Sequence, residues 1–253
     1  METFAEFIQK QHAYVSELPL THATTVTCFE QIVASGCLQP ATCRKYNEPL
    51  VYFFYGKPAF RGKKAGTVQR DATYAPVCLI FTPGAVTARF KRVFPFDSGA
   101  GKESLYLPQI DPDAVDSYDL KSVTQAAQRL VVGFFSTNNS YWSGVLDNNL
   151  TIPAPGTPAR NYYDLNNGGG NEKCDDRMAA VELQVDQPID MMGCISAVIL
   201  PNSFLEDPNI DNILSVWDAD SLTYELHKSF RPLEFHALIR QIVRKYSEEK
   251  RWL

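Results

Sequence analysis

The chain has 253 residues and a formal net charge of −5 at pH 7. Its hydrophobic share of 45% and charged share of 21% are those of a folded globular protein, which excludes extensive disorder. The longest apolar runs have the length of strands, so we expect no transmembrane helix and no membrane partner. The negative charge and a pI near 5.4 exclude a surface that binds phosphates over its whole extent, while a local basic patch stays open.

The N-terminus reads Met-Glu-Thr-Phe, without the basic and apolar regions of a secretory signal, and this predicts a cytoplasmic protein. Six cysteines are too few for a disulfide framework in a chain of this length. No Cys-x-x-Cys pair indicates zinc or redox chemistry, so we expect no metal site. The cysteines are expected to be buried, reduced thiols.

The first half of the chain predicts a helix, a strand and a second helix before an aromatic strand. Residues 1–17 are expected to contain a lead-in helix, which is followed by a strand at 20–25 and by a helix that ends at Gly36. The aromatic run 50–55 predicts a strand that is buried on both faces. A basic loop follows this strand and carries five positive charges: Lys57, Arg61, Lys63, Lys64 and Arg70.

The middle of the chain alternates strand patterns with loops. Residues 77–81 and 89–94 predict strands, and 95–118 predicts a surface excursion rich in Gly, Ser, Asp and Pro. A helical period returns at 123–131. Residues 148–176 are dominated by Pro, Gly and Asn and predict a mobile loop, either disordered or a lid over a site.

The last third predicts two strands and a helix. The strands are expected at 178–185 and 195–201, and the residues 232–251 are expected to form a C-terminal packing helix. No internal repeat and no change in composition defines a second domain. We therefore predict one α+β domain over residues 1–253.

Two residues stand out as candidates for chemistry. His22 ends a short strand just before a helix, a place where side chains converge on a cleft, although a structural hydrogen bond is the commoner role for such a histidine. Glu182 interrupts an apolar strand pattern, and ordinary alternation would turn it toward solvent together with Gln184 and Asp186. The other three histidines, His12, His227 and His236, are expected to be exposed or to cap helices.

Taken in chain order, these features resemble the ADP-ribosyltransferase fold of the His-Tyr-Glu type, and most closely its DarT-like branch. The similar segments are a strand with Thr21-His22, a helix with a Gly36-Cys37-Leu38 ending, the strand of residues 51–55 followed by Gly-Lys-Pro, and residues 177–185 with Glu182. The likeness covers about residues 18–62 and 175–201. It implies a split, mainly antiparallel mixed β-core with peripheral helices.

The resemblance implies that NAD is the co-substrate and that its nicotinamide–ribose bond is broken. Glu182 would be the catalytic carboxylate that stabilises the electron-poor ribose. His22, with Thr21 beside it, would position a ribose, and Tyr52 would stack on nicotinamide, or Phe53 or Tyr55 if the register differs. Lys57 or Arg61 would neutralise the pyrophosphate.

The resemblance also implies a macromolecular acceptor for the ADP-ribose. A nucleic-acid acceptor is favoured by the basic residues Lys57, Arg61, Lys63, Lys64 and Arg70, with Arg89, Lys91 and Arg92. The competing interpretation is an ordinary solvated basic loop. Ala180 stands where arginine-modifying relatives carry a glutamate, so we expect an acceptor other than arginine. A toxin or defence effector fits this pattern, and an antidote protein would leave no mark in this sequence.

Two alternatives to transfer remain open at this stage. The first is an NAD glycohydrolase that uses the same cleft with water as the acceptor. The second is a non-catalytic module of the same fold that binds a nucleotide or a partner protein.

Overall fold

The structure is a computed structural model that describes residues 2–59 and 65–253. Within these residues, the main sheet contains eight strands. In chain order, the strands of the molecule are β1 (Leu20–Thr25), β2 (Cys37–Leu38), β3 (Ala41–Cys43), β4 (Glu48–Tyr55), β5 (Pro76–Phe81), β6 (Arg92–Phe94), β7 (Glu182–Val185), β8 (Ile189–Asp190), β9 (Ile195–Pro201) and β10 (Asp220–Tyr224). Their order in the main sheet is β10-β9-β5-β1-β4-β7-β6, with β3 paired to β4, and β2 pairs with β8 in a small second sheet. The β9–β10 pair is parallel, whereas the other described pairs are antiparallel.

Helices and 3-10 turns surround this sheet. The helices are α1 (Phe4–Gln9), α2 (Val26–Ser35), α3 (Ser98–Lys102), α4 (Ala126–Phe135), α5 (Asn138–Ser143), α6 (Pro158–Asn166), α7 (Pro208–Trp217) and α8 (His236–Glu249). Shorter 3-10 helices lie at Ala72–Tyr74, Pro112–Tyr118, Asp176–Ala179, Asn202–Phe204 and Pro232–Phe235. Most of the buried apolar side chains form one large contiguous cluster, so the chain is a single α+β domain with a mixed, mostly antiparallel sheet.

Helix α2 shows how local sequence sets the boundaries that place His22. The Thr25 side chain accepts a hydrogen bond from the backbone N–H of Cys28 and caps the first turn. Gly36 ends the helix in the left-handed region at φ +68°, where its backbone N–H donates to the carbonyl of Ile32. The strand at 20–25 and the glycine stop predicted from the sequence are both confirmed.

Aromatic side chains pack helices α1, α4 and α6 against one another, and one of them ties α5 to the sheet. Phe4 of α1 packs against Phe134 of α4 and Tyr162 of α6, with ring centroids 6.2 and 5.4 Å away. The Tyr141 hydroxyl of α5 donates to the carbonyl of Tyr55 at the end of β4. Rings of this size bury much apolar surface, and the Tyr141 hydrogen bond fixes the end of β4.

Most strand predictions are confirmed, with shifted ends. The aromatic strand extends from Glu48 to Tyr55, the predicted strand 77–81 is β5, and β9 matches 195–201. The other two are shorter than expected, because β6 begins at Arg92 and β7 begins at Glu182. The C-terminal helix is present as α8, preceded by a 3-10 turn that begins at Pro232.

Three loop and helix predictions are wrong. The surface excursion predicted at 95–118 contains α3 and a 3-10 helix, and its Phe96, Tyr106 and Tyr118 are buried in the core. The segment 148–176, predicted as a loop without structure, contains α6, whose Tyr162 is fully buried. The lead-in helix of residues 1–17 is only the six residues of α1, so His12 lies outside it.

The cysteines depart from the expectation that all six would be buried. Cys78 and Cys194 are buried, Cys37, Cys43 and Cys174 are half-buried, and Cys28 is exposed; none forms a disulfide. Within residues 2–59 and 65–253, no helix combines the length and apolar character needed to cross a bilayer.

Candidate functional site

A pocket of about 690 Å³ opens where β1 and β4 separate. β1 pairs with β5 along its full length, but it pairs with β4 only at Leu20 and Thr21. Residues of β1, α2, β3, β4 and the 3-10 helix Pro232–Phe235 line the space beyond Thr21, and most of this lining is apolar. Pockets of roughly 300–1,000 Å³ with this character are typical small-molecule sites.

His22 joins the two diverging strands at this pocket. Its Nδ1 lies 2.8 Å from the backbone carbonyl oxygen of Tyr52. A carbonyl oxygen only accepts hydrogen bonds, so Nδ1 carries a proton and Nε2 is an acceptor in the neutral ring. Burial lowers the pKa of His22 and outweighs the opposing effect of the Tyr52 carbonyl, which keeps the ring neutral at pH 7.

Tyr52 lines the same pocket as His22. Its hydroxyl donates a hydrogen bond to Cys43 Sγ at 2.7 Å, and Cys43 also belongs to the pocket wall. Burial, followed by the hydrogen bond to Cys43, raises the pKa of Tyr52 far above its usual value. The phenol therefore stays protonated and contributes a neutral aromatic ring to the pocket.

Glu182 lies on β7 and shares one face of the sheet with Tyr52. Tyr52 is paired with Gln184, and Phe54 is paired with Glu182, so Tyr52 and Glu182 are diagonal neighbours on adjacent strands. Such neighbours are roughly 7–8 Å apart in an antiparallel pair. The charge of Glu182 also contributes to the raised pKa of Tyr52, although Glu182 itself is not part of the pocket lining.

The Glu182 carboxyl group is buried in a polar cluster beneath α3. Ser98 donates to it from its hydroxyl at 2.7 Å and from its backbone N–H at 3.2 Å, and Gln184 Nε2 donates at 2.7 Å. Burial raises the pKa of Glu182 to about 8, and the charge of Asp97 adds to this effect against the opposing hydrogen bonds. Burial also raises the pKa of Asp97.

The expectation that Glu182 and Gln184 face solvent is therefore wrong. All four residues of β7 are buried, because α3 covers one face of the strand while the apolar core covers the other. Tyr46 completes the cluster on the α3 side, where its ring stacks on Phe94 and its buried hydroxyl lies near Ser98 and Gln184 without meeting hydrogen-bond geometry.

Lys57 does not occupy the surface position that we expected. It is 1% exposed, its Nζ donates to the carbonyl of Tyr141 at 2.8 Å, and the same atom lies 4.5 Å from the Tyr141 ring centroid. Burial, assisted by the charge of Arg240, lowers the pKa of Lys57 to about 7. A contact of Lys57 with pyrophosphate or nucleic acid is thus contradicted by its burial.

Thr21 also does not line the pocket. Its side chain is fully buried, and its hydroxyl donates to the carbonyl of Phe54 at 3.2 Å, which ties β1 to β4 just before the strands separate. Thr21 therefore positions His22 and does not touch a ligand in the pocket.

The other basic residues divide into three groups. Arg61, Lys63 and Lys64 lie outside the described residues. Arg70 and Arg89 are exposed. Lys91 and Arg92 form ion pairs with Glu48, and Lys91 also pairs with Asp186. Acidic partners thus neutralise part of the basic surface that we expected to attract nucleic acid.

His236, which we expected to be exposed or capping, is half-buried and lines the pocket. Its Nε2 lies 3.4 Å from Oδ2 of Asp176, and the same oxygen accepts a hydrogen bond from Arg240 at 2.6 Å. Helix α8 contributes His236 and Arg240, and the 3-10 helix before β7 contributes Asp176. These three side chains form a cluster beside the pocket.

Sequence reasoning missed the partners of the predicted residues. An Asp97-Ser98-Gly99 sequence is typical of a helix start, and Asp97 does cap α3, but nothing in the sequence connects that turn with Glu182. For Gln184 the sequence did contain a signal of its contact with Glu182, because Gln184 stands two residues after Glu182 on the same face of a strand. Cys43 and His236 had none, since their place in the pocket depends on tertiary packing.

Neither a protein-family model nor a curated protein matches this chain. Within the described ranges, no group of three or more His, Cys, Asp or Glu side chains is arranged to hold a metal ion. The pocket and the carboxyl cluster beside it are the features of the described residues that bear on function.

Proposed function

We propose that this chain is an NAD-dependent ADP-ribosyltransferase of the His-Tyr-Glu type that transfers ADP-ribose to a macromolecular acceptor. The observation that carries the proposal is the meeting of His22 and Tyr52 in one pocket between diverging strands, with Glu182 on the adjacent strand as the diagonal neighbour of Tyr52. These residues are 30 to 160 positions apart in the sequence, so their convergence comes from the fold.

His22 binds and orients a ribose of NAD. Its neutral ring offers Nε2 as an acceptor for a ribose hydroxyl, while Nδ1 is held by the carbonyl of Tyr52. Because the backbone fixes the ring orientation before NAD binds, His22 contributes by positioning and transfers no proton.

Tyr52 provides the stacking surface for nicotinamide. The hydroxyl of Tyr52 is held by its hydrogen bond to Cys43 Sγ, so the Tyr52 ring is already fixed in orientation. The ring therefore loses little rotational freedom when a planar ligand stacks on it. The side chains of Phe53 and Tyr55 belong to the core on the opposite face, which favours Tyr52 for this role among the three aromatic residues considered.

Glu182 stabilises the positive charge that develops on the ribose as the bond to nicotinamide breaks. Its carboxylate form is needed, and because burial raises the pKa of Glu182 to about 8, the active fraction increases from pH 7 to pH 9. Ser98 covers the carboxyl group, so contact with the ribose requires the start of α3 to move away from β7.

The acceptor is nucleic acid or a protein side chain other than arginine. Ala180, two residues before Glu182, is fully buried against Phe54 and Ala59, so no acidic group binds a guanidinium there. On this proposal the protein acts in the cytoplasm as a toxin or defence effector, and exposed Arg70 is a described basic residue left for nucleic acid.

The burial of Glu182 favours a second candidate function, a module of the same fold that binds NAD or a related nucleotide without cleaving it. In that case the Glu182–Ser98–Gln184 cluster is purely structural and holds α3 on the sheet. An NAD glycohydrolase with water as the acceptor uses the same groups as the transferase and differs only in its product.

Incubation with NAD labelled in the adenylate, with and without nucleic acid or cell lysate, distinguishes these functions. Label in a macromolecule supports transfer, free ADP-ribose alone supports hydrolysis, and bound but intact NAD supports the non-catalytic module. Glu182→Gln removes the charge at nearly constant volume and abolishes either activity, whereas Glu206→Gln, at an exposed acid, is the matched control. A wild-type protein that neither binds nor consumes NAD contradicts the proposal.

A further inference from the structure

Half of the cysteines of this chain line one pocket. Cys28 comes from the first turn of α2, Cys37 from β2 and Cys43 from β3, and all three belong to the wall of the 690 Å³ pocket. Each retains some exposure, whereas Cys78 and Cys194 are buried. The described residues therefore gather nucleophilic sulfur atoms around a cavity large enough for a small molecule.

Cys43 differs from the other two because a side chain donates to its sulfur. The Tyr52 hydroxyl lies 2.7 Å from Cys43 Sγ. This hydrogen bond fixes the position of Cys43 Sγ at the pocket wall, where the sulfur can act as a nucleophile. Cys174, which is also half-buried, instead lies 3.4 Å from the Met178 sulfur, and it does not belong to the pocket.

The surroundings of Cys43 select the kind of reagent that reaches it. Ile32, Leu38 and Leu50 contribute apolar surface to the same wall, so a compact reagent with an apolar arm is favoured over a highly charged one. Disulfides of low molecular weight fit this requirement, because their soft sulfur atoms react with thiolates and their arms can be apolar.

We infer that Cys43 is a modification site for small disulfides and that Tyr52 holds its sulfur in position for the reaction. The Cys43 thiolate attacks one sulfur of the reagent, the reagent's S–S bond breaks, and a mixed disulfide forms on Cys43. The released thiolate takes up the proton that Cys43 lost. The adduct occupies the pocket, and a reducing thiol reverses the reaction by the same exchange.

The adduct also gives the pocket a means of regulation. A group attached at Cys43 disrupts the hydrogen bond that holds Tyr52 and fills space next to it, so it blocks the surface on which we place nicotinamide. This consequence rests on the proposed function, whereas the reactivity of Cys43 does not.

The rate of modification by 2,2′-dithiodipyridine, with peptide mapping by mass spectrometry, tests the inference without NAD. We expect Cys43 to react faster than Cys174 in the wild-type protein. Tyr52→Phe should slow the reaction of Cys43 by roughly two- to tenfold, the worth of one hydrogen bond, and leave the rate at Cys174 unchanged. Circular dichroism confirms that the variant is folded.

Equal rates at Cys43 and Cys174, or a Cys43 rate that does not change in Tyr52→Phe, overturn the inference. A separate measurement of NAD binding by the modified and the reduced protein tests regulation. If Cys43 reacts as expected but the adduct leaves NAD binding intact, the modification site stands and the placement of nicotinamide at Tyr52 fails.

Discussion

Ser98 donates two hydrogen bonds to Glu182, one from its hydroxyl to Oε1 at 2.7 Å and one from its backbone N–H to Oε2 at 3.2 Å. The two residues are 84 positions apart, and this contact fixes α3 against β7. Although such donors favour the carboxylate, burial dominates and raises the pKa of Glu182 to about 8. Glu182 is thus an acid that is largely protonated at neutral pH, and this property leads to measurable predictions.

The pH dependence of stability should report the burial of Glu182. Its pKa is raised from 4.5 in the unfolded chain, so its stabilising contribution is complete below pH 4.5 and is lost as pH rises through about 8. We therefore expect the Tm of Glu182→Gln, relative to the wild type, to increase by several degrees between pH 5 and pH 9. Each kcal/mol of change in the free energy of unfolding moves Tm by roughly 2–4 °C in a chain of this size. Calorimetry at a series of pH values measures the difference.

Glu206→Gln is the control for this series, because an exposed carboxyl group should give a constant difference over the same range. A difference for Glu182→Gln that is flat from pH 5 to pH 9 would mean that Glu182 has an ordinary pKa and is hydrated.

Lys57 should destabilise the protein at low pH. Burial lowers its pKa to about 7, so the folded protein must bury a charge below that pH, while the unfolded chain keeps the lysine charged up to about 10.5. Stability due to Lys57 is therefore present at high pH and is lost as pH falls through 7. We expect Lys57→Met to raise Tm, and to raise it more at pH 6 than at pH 9.

The matched change for Lys57 is Lys245→Met, at a lysine whose side chain is 81% exposed, and it should have little effect at either pH. A Lys57→Met variant that is less stable than the wild type at pH 6 would show that the bond to the Tyr141 carbonyl outweighs the cost of burying the amine.

Gly56 should tolerate substitution less well than Gly36. Both have a positive φ, +72° and +68°, where an alanine costs about 1–2 kcal/mol. At Gly56 an added Cβ would also lie 2.7 Å from Leu18 Cδ1, whereas nothing lies within 4 Å at Gly36. We expect Gly56→Ala to lower the free energy of unfolding by about 1–3 kcal/mol more than Gly36→Ala in urea titrations; equal losses would place Leu18 outside contact range.

His22 should contribute to NAD affinity through one hydrogen bond. His22→Phe keeps a ring at this position but removes the acceptor, so we expect the Kd for NAD to increase by roughly two- to tenfold in titration calorimetry. His12→Phe, at an exposed histidine, serves as the control. An unchanged Kd in His22→Phe would remove this residue from the binding site.

The sequence predicted best those elements whose signals are local. Helix α2 has a threonine cap and a glycine stop, and β9 is a continuous apolar run, so both were placed well. Segment 95–118 is rich in Gly, Ser, Asp and Pro, and segment 148–176 is rich in Pro, Gly and Asn. Both nevertheless form helices because a few aromatic residues in them, such as Tyr106 and Tyr162, pack into the core. Tertiary packing overrides local propensity at such places.

Candidate residues could be named from the sequence, but their environment could not be predicted. Chain order and resemblance pointed to His22, Tyr52 and Glu182, and the fold brings them to neighbouring strands. The burial of Glu182 under Ser98 and of Lys57 beside Tyr141 depends on contacts across 84 positions each, for which a single sequence has no local signal.

Release of nicotinamide from NAD, measured at pH 7 and pH 9 for the wild type and Glu182→Gln, tests the central claim most directly. We predict release by the wild type, faster at pH 9 because more Glu182 is ionised, and no release above background by the variant at either pH. Equal release by the two proteins, or no release by a wild-type protein that binds NAD, would contradict the catalytic role of Glu182.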